Sequence, residues 1–385
     1  MNYNEINVLL TEGYSRQTLP MAKAFRELGC QVTTLNASSF DVGYTSKYPT
    51  NKIIGCCTEE DYIGTVNTIR QILKDDNFDI VVPMSDFTAS LLAENKEEFS
   101  QYVEVATNDS KVFNKAFDKL NTMEICMNND IPCPQTFIDV KSIEDLKGIK
   151  YPVVIKPRSS WGSVGFNVVN NEDKLKDILS TVDKNLGPLF IQEYIPHTGK
   201  QFNAHMFLNS NHEVKSAVIT EKCRWFPIDG GASTLSVTIE SPEIVNICSR
   251  LLKEMKWVGY CDIDLMLDPR DQIPKVIEVN GRISANVKIC YMAEVNIAKQ
   301  ILENAFSYHV TSYESYKEDL RLRYLHTDIL WFLSSTKRLQ SKPSWFSLKN
   351  TTDQIFSLDD PLPWFTFTFQ ALKKYKKEMR KRKRK

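Results

Sequence analysis

The sequence has no long hydrophobic run, no metal-like cysteine or histidine pattern and no leader-like start. No stretch of about 18 consecutive apolar residues occurs, so we expect no membrane-spanning helix. The opening MNYNEINVLL carries no basic segment ahead of its apolar residues, which argues against a signal peptide. None of the nine cysteines forms a CxxC pair with a metal-like partner, and the histidines lack metal-ligand spacing (His197, His205, His212, His309 and His326). These absences predict reduced cysteines in a cytoplasmic protein.

A glycine-rich dinucleotide motif is also missing. The loop after the first apolar run, Ile6–Leu10, contains only Gly13, so GxGxxG is absent there. A helical stretch and a second strand, Cys30–Leu35, follow it, and this order is typical of a parallel α/β unit. Ser85–Asp86 come directly after a later buried strand, at the edge where such sheets place ligands. We therefore expect a Rossmann-like supporting domain over residues 1–112.

The formal net charge is zero because two opposite contributions cancel. The tail 373–385 holds ten Lys or Arg and one Glu, which leaves a body with 38 basic and 47 acidic residues, a net charge of −9. Such a body is not a general nucleic-acid binder. The tail has three interpretations: contact with anionic lipid, contact with nucleic acid, or a solubilising tail behind aromatics that pack on the body. If the tail contacts anionic lipid, the cytoplasmic protein would also associate peripherally with the inner face of the membrane.

Two lysines stand where long basic side chains would reach phosphates. Asp118–Lys119 lies thirteen residues before Pro132, and Lys156 is carried by the strand-like run YPVVIKPR. A small-residue loop follows, in which backbone N–H groups can approach phosphate oxygens closely. The alternative interpretation of Asp118–Lys119 is a solvated helix face, and that of the loop is a flexible hairpin turn. The loop residues concerned are Ser159, Ser160, Gly162, Ser163 and Gly165.

The apolar segment Leu189–Pro196 ends at a proline. If this segment links two lobes, its backbone N–H and C=O groups can pair with the edge of an adenine ring. An ordinary strand end is the alternative.

A set of hard oxygen ligands lies near the middle of the chain. Glu278 and Asn280 are two residues apart and share one face of a strand, and a hairpin with the preceding strand would add Asp264. Carboxylate and amide oxygens in an incomplete set suit Mg²⁺, because nucleotide phosphates and water complete its octahedron. Arg282 would point from the same face at phosphoryl charge. The alternative is an ion pair of these acids with Lys275 or Arg282.

These four segments, in this order, resemble the ATP-grasp superfamily, especially the domains of carbamoyl phosphate synthase large chains and of carboxylate–amine ligases. The resemblance covers roughly residues 115–300. It implies a mixed α/β and α+β fold, with a two-lobed ATP-grasp domain over residues 113–309 behind the Rossmann-like domain. A helical, aromatic extension over residues 310–372 and the basic tail 373–385 would follow.

The resemblance also implies the cofactors and the role of each residue. The protein would bind ATP with Mg²⁺ or Mn²⁺. Lys119 and Lys156 would contact the phosphates, and the Ser159–Gly165 loop would close over them. The metal would be bound by Asp264, Glu278 and Asn280. Arg282 would steady an acyl phosphate and, with Lys156, serve catalysis. Adenine and ribose would contact Glu193, Tyr194, Ile195 and Gln201.

The sequence departs from the family pattern at three positions. Gln201 stands where the family often has Glu, His205 where it often has Asp, and Gly281 where it usually has Pro. The first two bear on the ribose contact. Neither lysine and none of the metal ligands is lost, so an active enzyme is still expected.

A segment between the hinge and the metal strands suits an anionic substrate. Thr220–Thr234 combines cations, aromatics and a Gly-Gly loop, and its candidate residues are Lys222, Arg224, Gly231 and Ser233. A β-hairpin with surface charges is the alternative.

Three functions remain open. The first is an ADP-forming ligase that phosphorylates a carboxylate and joins it to an amine, in envelope or polysaccharide precursor metabolism. The second is activation of bicarbonate or carbamate, as in carbamoyl phosphate synthase. The third is a non-catalytic ATP-binding module with a C-terminal interaction surface. The acid, the amine and the oligomeric state are not indicated by the sequence.

Overall fold

The computed structural model describes residues 3–137, 149–158, 167–181, 188–228 and 231–382. The phosphate-loop candidates Ser159 to Gly165 lie outside these ranges. All nine cysteines are free, as the sequence predicts.

The N-terminal part is a parallel sheet with helices beside it. The sheet has the order β3-β2-β1-β4-β5, and every pairing in it is parallel. The middle strands have buried side chains on both faces, because helices cover the sheet. This is the doubly wound order of Rossmann-like folds, as the sequence predicts. The elements are β1 (Asn7–Leu10), α1 (Thr18–Glu27), β2 (Gln31–Asn36), α2 (Val42–Thr45), β3 (Asn51–Ile54), α3 (Tyr62–Asp75), β4 (Ile80–Val82), α4 (Asp86–Glu94), α5 (Lys96–Phe99) and β5 (Glu104–Val105).

Two helices, α6 (Ser110–Phe117) and α7 (Lys119–Asn128), connect this sheet to the next part. The sequence pattern predicts one helix over Lys115–Asn128, and that expectation is wrong. Asp118 is extended and ends α6, and its side chain accepts a hydrogen bond from the Leu120 N–H at 3.0 Å. Such a cap stabilises the new helix by about 1 kcal/mol. The break leaves Lys119 as the first residue of α7.

A small antiparallel sheet follows, with the order β6-β9-β7-β8. Its apolar side chains pack with those of a helix over their own small core, which contains Val153, Ile155, Leu175 and Ile191. The elements are β6 (Thr136–Phe137), β7 (Val153–Pro157), β8 (Asn167–Val169), α8 (Glu172–Thr181) and β9 (Leu189–Glu193).

The largest sheet has the order β14-β13-β10-β11-β12-β15-β16. One core below it joins its strands to α9 and contains Trp257, Met206 and Leu251. A second core joins it to the N-terminal sheet, since Phe207 and Tyr260 pack in the same cluster as Val8 and Phe25. The elements are β10 (Gln201–Leu208), β11 (Val214–Phe226), β12 (Ala232–Ile239), α9 (Pro242–Met255), β13 (Gly259–Leu267), β14 (Pro274–Asn280), α10 (Lys288–Met292) and α11 (Ile297–Ala305).

The C-terminal extension adds strands as well as helices. It comprises β15 (Arg321–Arg323), α12 (Leu325–Ser334), β16 (Thr351–Asp353) and α13 (Leu362–Arg382). β15 pairs with β12 and so extends the large sheet, which the helical pattern of this region does not predict. In the described ranges, no helix combines the length and hydrophobicity that crossing a bilayer requires.

Candidate functional site

A cavity of about 450 Å³ lies between the small sheet and the β13–β14 end of the large sheet. This volume is within the usual range for small-molecule sites. The predicted nucleotide residues that line it are Lys119, Lys156, Glu193, Tyr194, Ile195 and Gln201. The predicted metal, catalytic and substrate residues that line it are Asp264, Glu278, Asn280, Arg282, Lys222, Gly231 and Ser233. Residues far apart in the sequence therefore share one cavity.

The acid ligands are placed by the register of β13 and β14. The two strands pair antiparallel, with Asp264 opposite Glu278 and Asp262 opposite Asn280. The hairpin that the sequence pattern requires is therefore present. Alternation puts all four side chains on one face, and all four line the cavity.

A lysine from another element neutralises each of the two central carboxylates. Lys222 Nζ lies 3.1 Å from Asp264 Oδ2, and Lys119 Nζ lies 3.4 Å from Glu278 Oε2. The alternative pairing of these acids with Lys275 is wrong, because Lys275 Nζ lies 2.6 Å from Asp268 in the turn between the strands.

Burial and charge shift the ionisation of these groups in opposite directions. Burial raises the pKa of Asp264 to about 6, with Lys222 acting against the rise. Burial also acts on Glu278, but the charges of Lys119, Lys156 and the other nearby cations outweigh it and hold the pKa of Glu278 below its ordinary value. Burial lowers the pKa of Lys156 to about 8.

Arg282 joins the two halves of the molecule. Its Nε donates to Asp86 Oδ2 at 3.2 Å, and its Nη2 donates to Asn280 Oδ1 at 3.2 Å. Asp86 is at the start of α4, at the carboxyl edge of the N-terminal sheet where the sequence predicts ligands. Burial alone would lower the pKa of Arg282, but Asp86 and Asp262 raise it above its usual value, so the guanidinium is a permanent cation at this edge.

The end of β9 forms another wall of the cavity. The Glu193 backbone N–H donates to the Gln135 carbonyl at 2.8 Å, and its carboxylate lies 2.7 Å from Arg270. Gln201 stands where the family often has Glu, and its Nε2 is 3.3 Å from His197 Nδ1. The side-chain amide therefore has a hydrogen-bond partner nearby.

Two residues that the sequence analysis singles out lie elsewhere. Arg224 does not line the cavity; it is buried, and its Nε donates to Asp328 Oδ1 at 2.8 Å. His205 is fully buried, with its Nδ1 2.8 Å from the Tyr260 hydroxyl. Arg224 is therefore a core residue rather than a substrate residue.

The glycine in place of the family's proline has a packing reason. A Cβ at Gly281 would come within 2.6 Å of the Trp257 ring. Glycine lets β14 end directly against this buried indole.

The oxygen set fits a hard divalent cation. Asp264 and Glu278 supply carboxylates and Asn280 an amide oxygen, and burial close to Asp262 concentrates negative charge that a cation would offset. In the part of the chain that the structure describes, no three His, Cys, Asp or Glu side chains group as a complete metal site. Phosphate and water oxygens would have to complete the coordination of a cation bound here.

Sequence reasoning missed several cavity residues. Asp262 is two residues from Asp264, so the same alternation identifies it; it accepts hydrogen bonds from Ser284 at 2.8 Å and from Asn203 at 3.2 Å. Arg16 and Asn286 also line the cavity. No local pattern marks these two, because the rest of the chain brings them to the site.

Comparisons with known proteins agree with this geometry. Residues 116–286 match the family model of the ATP-grasp domain. A D-aspartate ligase from Enterococcus faecium (strain Aus0004) is 22% identical over 244 residues, 58% of this chain and 58% of that protein. A D-alanine--D-alanine ligase from Bacillus anthracis is 30% identical over 176 residues, 42% of this chain and 56% of that protein. The chain thus spans little more than half the length of these curated relatives.

A solved structure shows the same fold. A biotin carboxylase–beta-gamma-ATP complex from Campylobacter jejuni aligns with a TM-score of 0.69 and 17% identity, covering 83% of this chain and 75% of that chain. This likeness extends beyond the matched domain into the N-terminal sheet and the C-terminal part. Residues 116–286 of this chain are thus similar to the ATP-grasp domain.

Proposed function

We propose that this protein is an ATP-dependent, ADP-forming ligase that phosphorylates a carboxylate and joins it to an amine. The observation that carries the proposal is the convergence, in one cavity, of Lys119 and Lys156 with Asp264, Glu278 and Arg282. Two lysines beside two carboxylates suit a magnesium–triphosphate complex, because each charge then has an opposite partner.

Each side chain has a role in binding ATP and the metal. Lys156 and Lys119 bind phosphate oxygens, and Asp264, Glu278 and Asn280 hold the cation. A cation held there would offset phosphate charge during γ-phosphoryl transfer. Lys119 and Lys222 are paired with Glu278 and Asp264 in the structure, and a cation on these carboxylates would leave both lysines available to anionic ligands.

The reaction has two steps. In the first, a carboxylate oxygen attacks the γ-phosphorus and the bond from this phosphorus to the β,γ-bridging oxygen breaks. ADP is the leaving group, and the product is an acyl phosphate. The amine then attacks the acyl carbon, inorganic phosphate leaves with the bonding electron pair, and the amine loses a proton. Arg282 stabilises the charge of the acyl phosphate, and exclusion of water protects it from hydrolysis.

Amino acids are the substrate class that the relatives support. The two curated relatives are named for D-aspartate and D-alanine, and both names denote ligases. We extend this class to one substrate of the present protein and place the reaction among those that supply envelope or polysaccharide precursors.

Trapping the intermediate tests the ligase proposal. With Mg²⁺, ATP, an acid and hydroxylamine, the protein should release ADP and form the acid's hydroxamate in equal amounts. AMP in place of ADP would indicate an acyl adenylate and contradict the proposal. ADP released with bicarbonate but with no organic acid would instead support the carbamoyl-phosphate-type reaction, and nucleotide binding without turnover on any acid would support the non-catalytic module.

The proposal includes peripheral attachment to an anionic membrane surface through the C-terminus. Two features support it: the basic run 373–385, and exposed apolar residues on α13 just before that run. Precursors carried by membrane lipids would then be within reach of an enzyme whose body is acidic.

A further inference from the structure

Arg16 brings a second guanidinium to the cavity from the N-terminal sheet. It belongs to the loop between β1 and α1, and it lines the same cavity as Arg282, Ser284 and Asn286. The loop is tied to the chain around α4: the buried carboxylate of Glu12 accepts a hydrogen bond from Thr88 at 2.5 Å, and Gln17 Nε2 donates to the Met84 carbonyl. Arg16 lies between these two anchored residues.

The guanidinium of Arg16 has an aromatic neighbour and an unused donor. Its Cζ lies 4.1 Å from the centre of the Tyr324 ring, and Tyr324 is also a side-chain hydrogen-bond partner of the guanidinium. The buried Nε has no hydrogen-bond partner. The negative charge of Asp353 acts on the Arg16 guanidinium and raises its pKa. The Asp353 carboxylate already accepts backbone hydrogen bonds from Leu325 at 3.0 Å and Phe356 at 2.7 Å. A buried donor without a partner is costly, which indicates that a ligand supplies one.

Arg282 lines the same cavity and also has an unused donor. Its buried Nη1 has no hydrogen-bond partner, and the carboxylate oxygen Asp262 Oδ2 lies 4.0 Å from it. Burial lowers the pKa of Arg16, Tyr324 acts against this effect, and the positive charge of Arg282 adds to it. Two neighbouring cations with unused donors suit an anion that spans them.

Asn286 lines the cavity, and Gln354, a buried residue outside the lining, is bonded to it. Gln354 donates to the Asn286 side-chain oxygen, and the Gln354 Oε1 atom is buried without a partner. This bond uses the side-chain oxygen of Asn286, and it therefore orients the amide nitrogen of the same side chain. Asn286 thus offers a hydrogen-bonding group in the cavity that the two arginines line.

We propose that Arg16 binds a second carboxylate of the acid substrate, so that the substrate class of this site is dicarboxylic acids. The inference rests on the proposed ligase function. The carboxylate to be phosphorylated lies at Arg282, which is bonded to the metal-ligand candidate Asn280. The other carboxylate accepts from Arg16 and stays unreacted.

Matched acids test this assignment with hydroxylamine as the nucleophile. Each pair differs by a methyl group in place of the second carboxylate: succinate and butyrate, aspartate and 2-aminobutyrate, glutamate and norvaline, with the amino acids in both enantiomers. In the wild type, at least one dicarboxylate should give a kcat/KM for ADP release about 10-fold or more above that of its partner. Arg16→Gln should lower that kcat/KM about 10- to 100-fold through KM, leaving the KM for ATP unchanged. Arg16→Lys should restore part of the loss.

Arg338→Gln is the matched control. Arg338 also lies over an aromatic ring, that of Phe332 at 5.8 Å, but it is exposed and outside the cavity. It should keep wild-type kinetics. Equal loss by Arg16→Gln on both acids of a pair, or a wild type that prefers the methyl-bearing acids, would overturn the assignment.

The two proposals fail in distinguishable ways. If the wild type forms no ADP with any acid, the ligase function is wrong. Calorimetric titration of the same dicarboxylates into protein with Mg²⁺ and a non-hydrolysable ATP analogue then decides the role of Arg16. Binding that Arg16→Gln weakens by about 10-fold would support the dicarboxylate site, and no binding, or binding unaffected by the substitution, would exclude it.

Discussion

Asp264 and Glu278 face each other across the β13–β14 hairpin, and each carboxylate is paired with a lysine from another part of the chain. Lys222 comes from β11 and Lys119 from the first turn of α7. In the protein alone these lysines balance the charge that the proposed cation would balance in the nucleotide complex. We therefore expect effects on metal binding and catalysis to be separable from effects on stability.

Glu278→Gln should stop ADP formation without unfolding the protein. The substitution keeps the shape of the side chain but removes the charge that would hold the cation. Loss of metal stabilisation is worth several kcal/mol, so the rate should fall at least about 100-fold. Rates of ADP release at saturating ATP, with the melting temperature of each variant, measure this.

Glu314→Gln is the control for that prediction, since Glu314 is an exposed acid outside the cavity. Asn280→Ala should lower the rate in the same way as Glu278→Gln. Near-wild-type turnover in both cavity variants would show that these residues do not bind the metal.

Nucleotide affinity should fall as the pH rises through about 8. Burial lowers the pKa of Lys156 to about 8, so below this pH the side chain is charged in the free protein and above it the neutral form dominates. A bound phosphate favours the charged form, so binding at higher pH requires proton uptake. Dissociation constants for ADP measured calorimetrically from pH 6.5 to 9.5 should be flat at first and then rise.

Lys156→Ala shows whether this inflection belongs to Lys156. The variant should bind ADP about 10- to 100-fold more weakly at neutral pH, and its affinity should no longer change near pH 8. An unchanged inflection in the variant would assign the titration to another group.

Asp328→Asn should destabilise the fold strongly. Asp328 is fully buried and accepts hydrogen bonds from Arg224 at 2.8 Å and from Arg323 at 2.7 Å. The substitution leaves two buried guanidinium groups without their anion, which costs about 3–5 kcal/mol. A lowered melting temperature and a lower soluble yield would be measured against Asp319→Asn, at an acid whose side chain is 49% exposed and paired with Arg321. If Arg224 served substrate binding instead, stability would change little and the KM for the acid would rise.

The failed expectation for Arg224 has a specific cause. Lys222 and Arg224 are two residues apart, and strict alternation would put both on the cavity face. The register of β11 against β12 shifts between these two residues, and a shift of this kind ends the alternation. Lys222 therefore reaches Asp264 while Arg224 reaches Asp328. Nothing in the local sequence marks this irregularity.

The predictable parts are those that local periodicity controls. Two-residue spacing was sufficient to place Glu278 and Asn280 on one face, and turn and strand signals were sufficient for the parallel N-terminal sheet. The break at Asp118 is hidden because helical periodicity continues through it. Arg16 could not be identified because its neighbours Tyr324 and Arg282 are about 300 residues away along the chain.

The C-terminal helix α13 has two different faces. Leu362, Phe365, Phe369 and Leu372 are spaced three, four and three residues apart, which places them on one stripe, and each is between 48% and 58% exposed. The other side packs on the body, where Phe367 lies 6.2 Å from the Tyr324 ring. The basic run 373–385 follows directly. An apolar stripe that leads into clustered cations is complementary to the surface of an anionic bilayer, where each Lys or Arg contributes about 1 kcal/mol.

We therefore expect the full-length protein to sediment with vesicles containing phosphatidylglycerol at low salt, and not with phosphatidylcholine vesicles. The protein truncated after Leu372 should stay in the supernatant, because its remaining charge of −9 is repelled by the anionic surface. The double variant Phe365→Ser and Phe369→Ser keeps every charge and should bind more weakly, whereas a purely electrostatic tail would bind as the wild type does. Excess double-stranded DNA that strips the protein from vesicles would favour nucleic acid as the tail's partner. Full-length protein that remains in the supernatant with anionic vesicles at low salt would rule out membrane attachment through this helix.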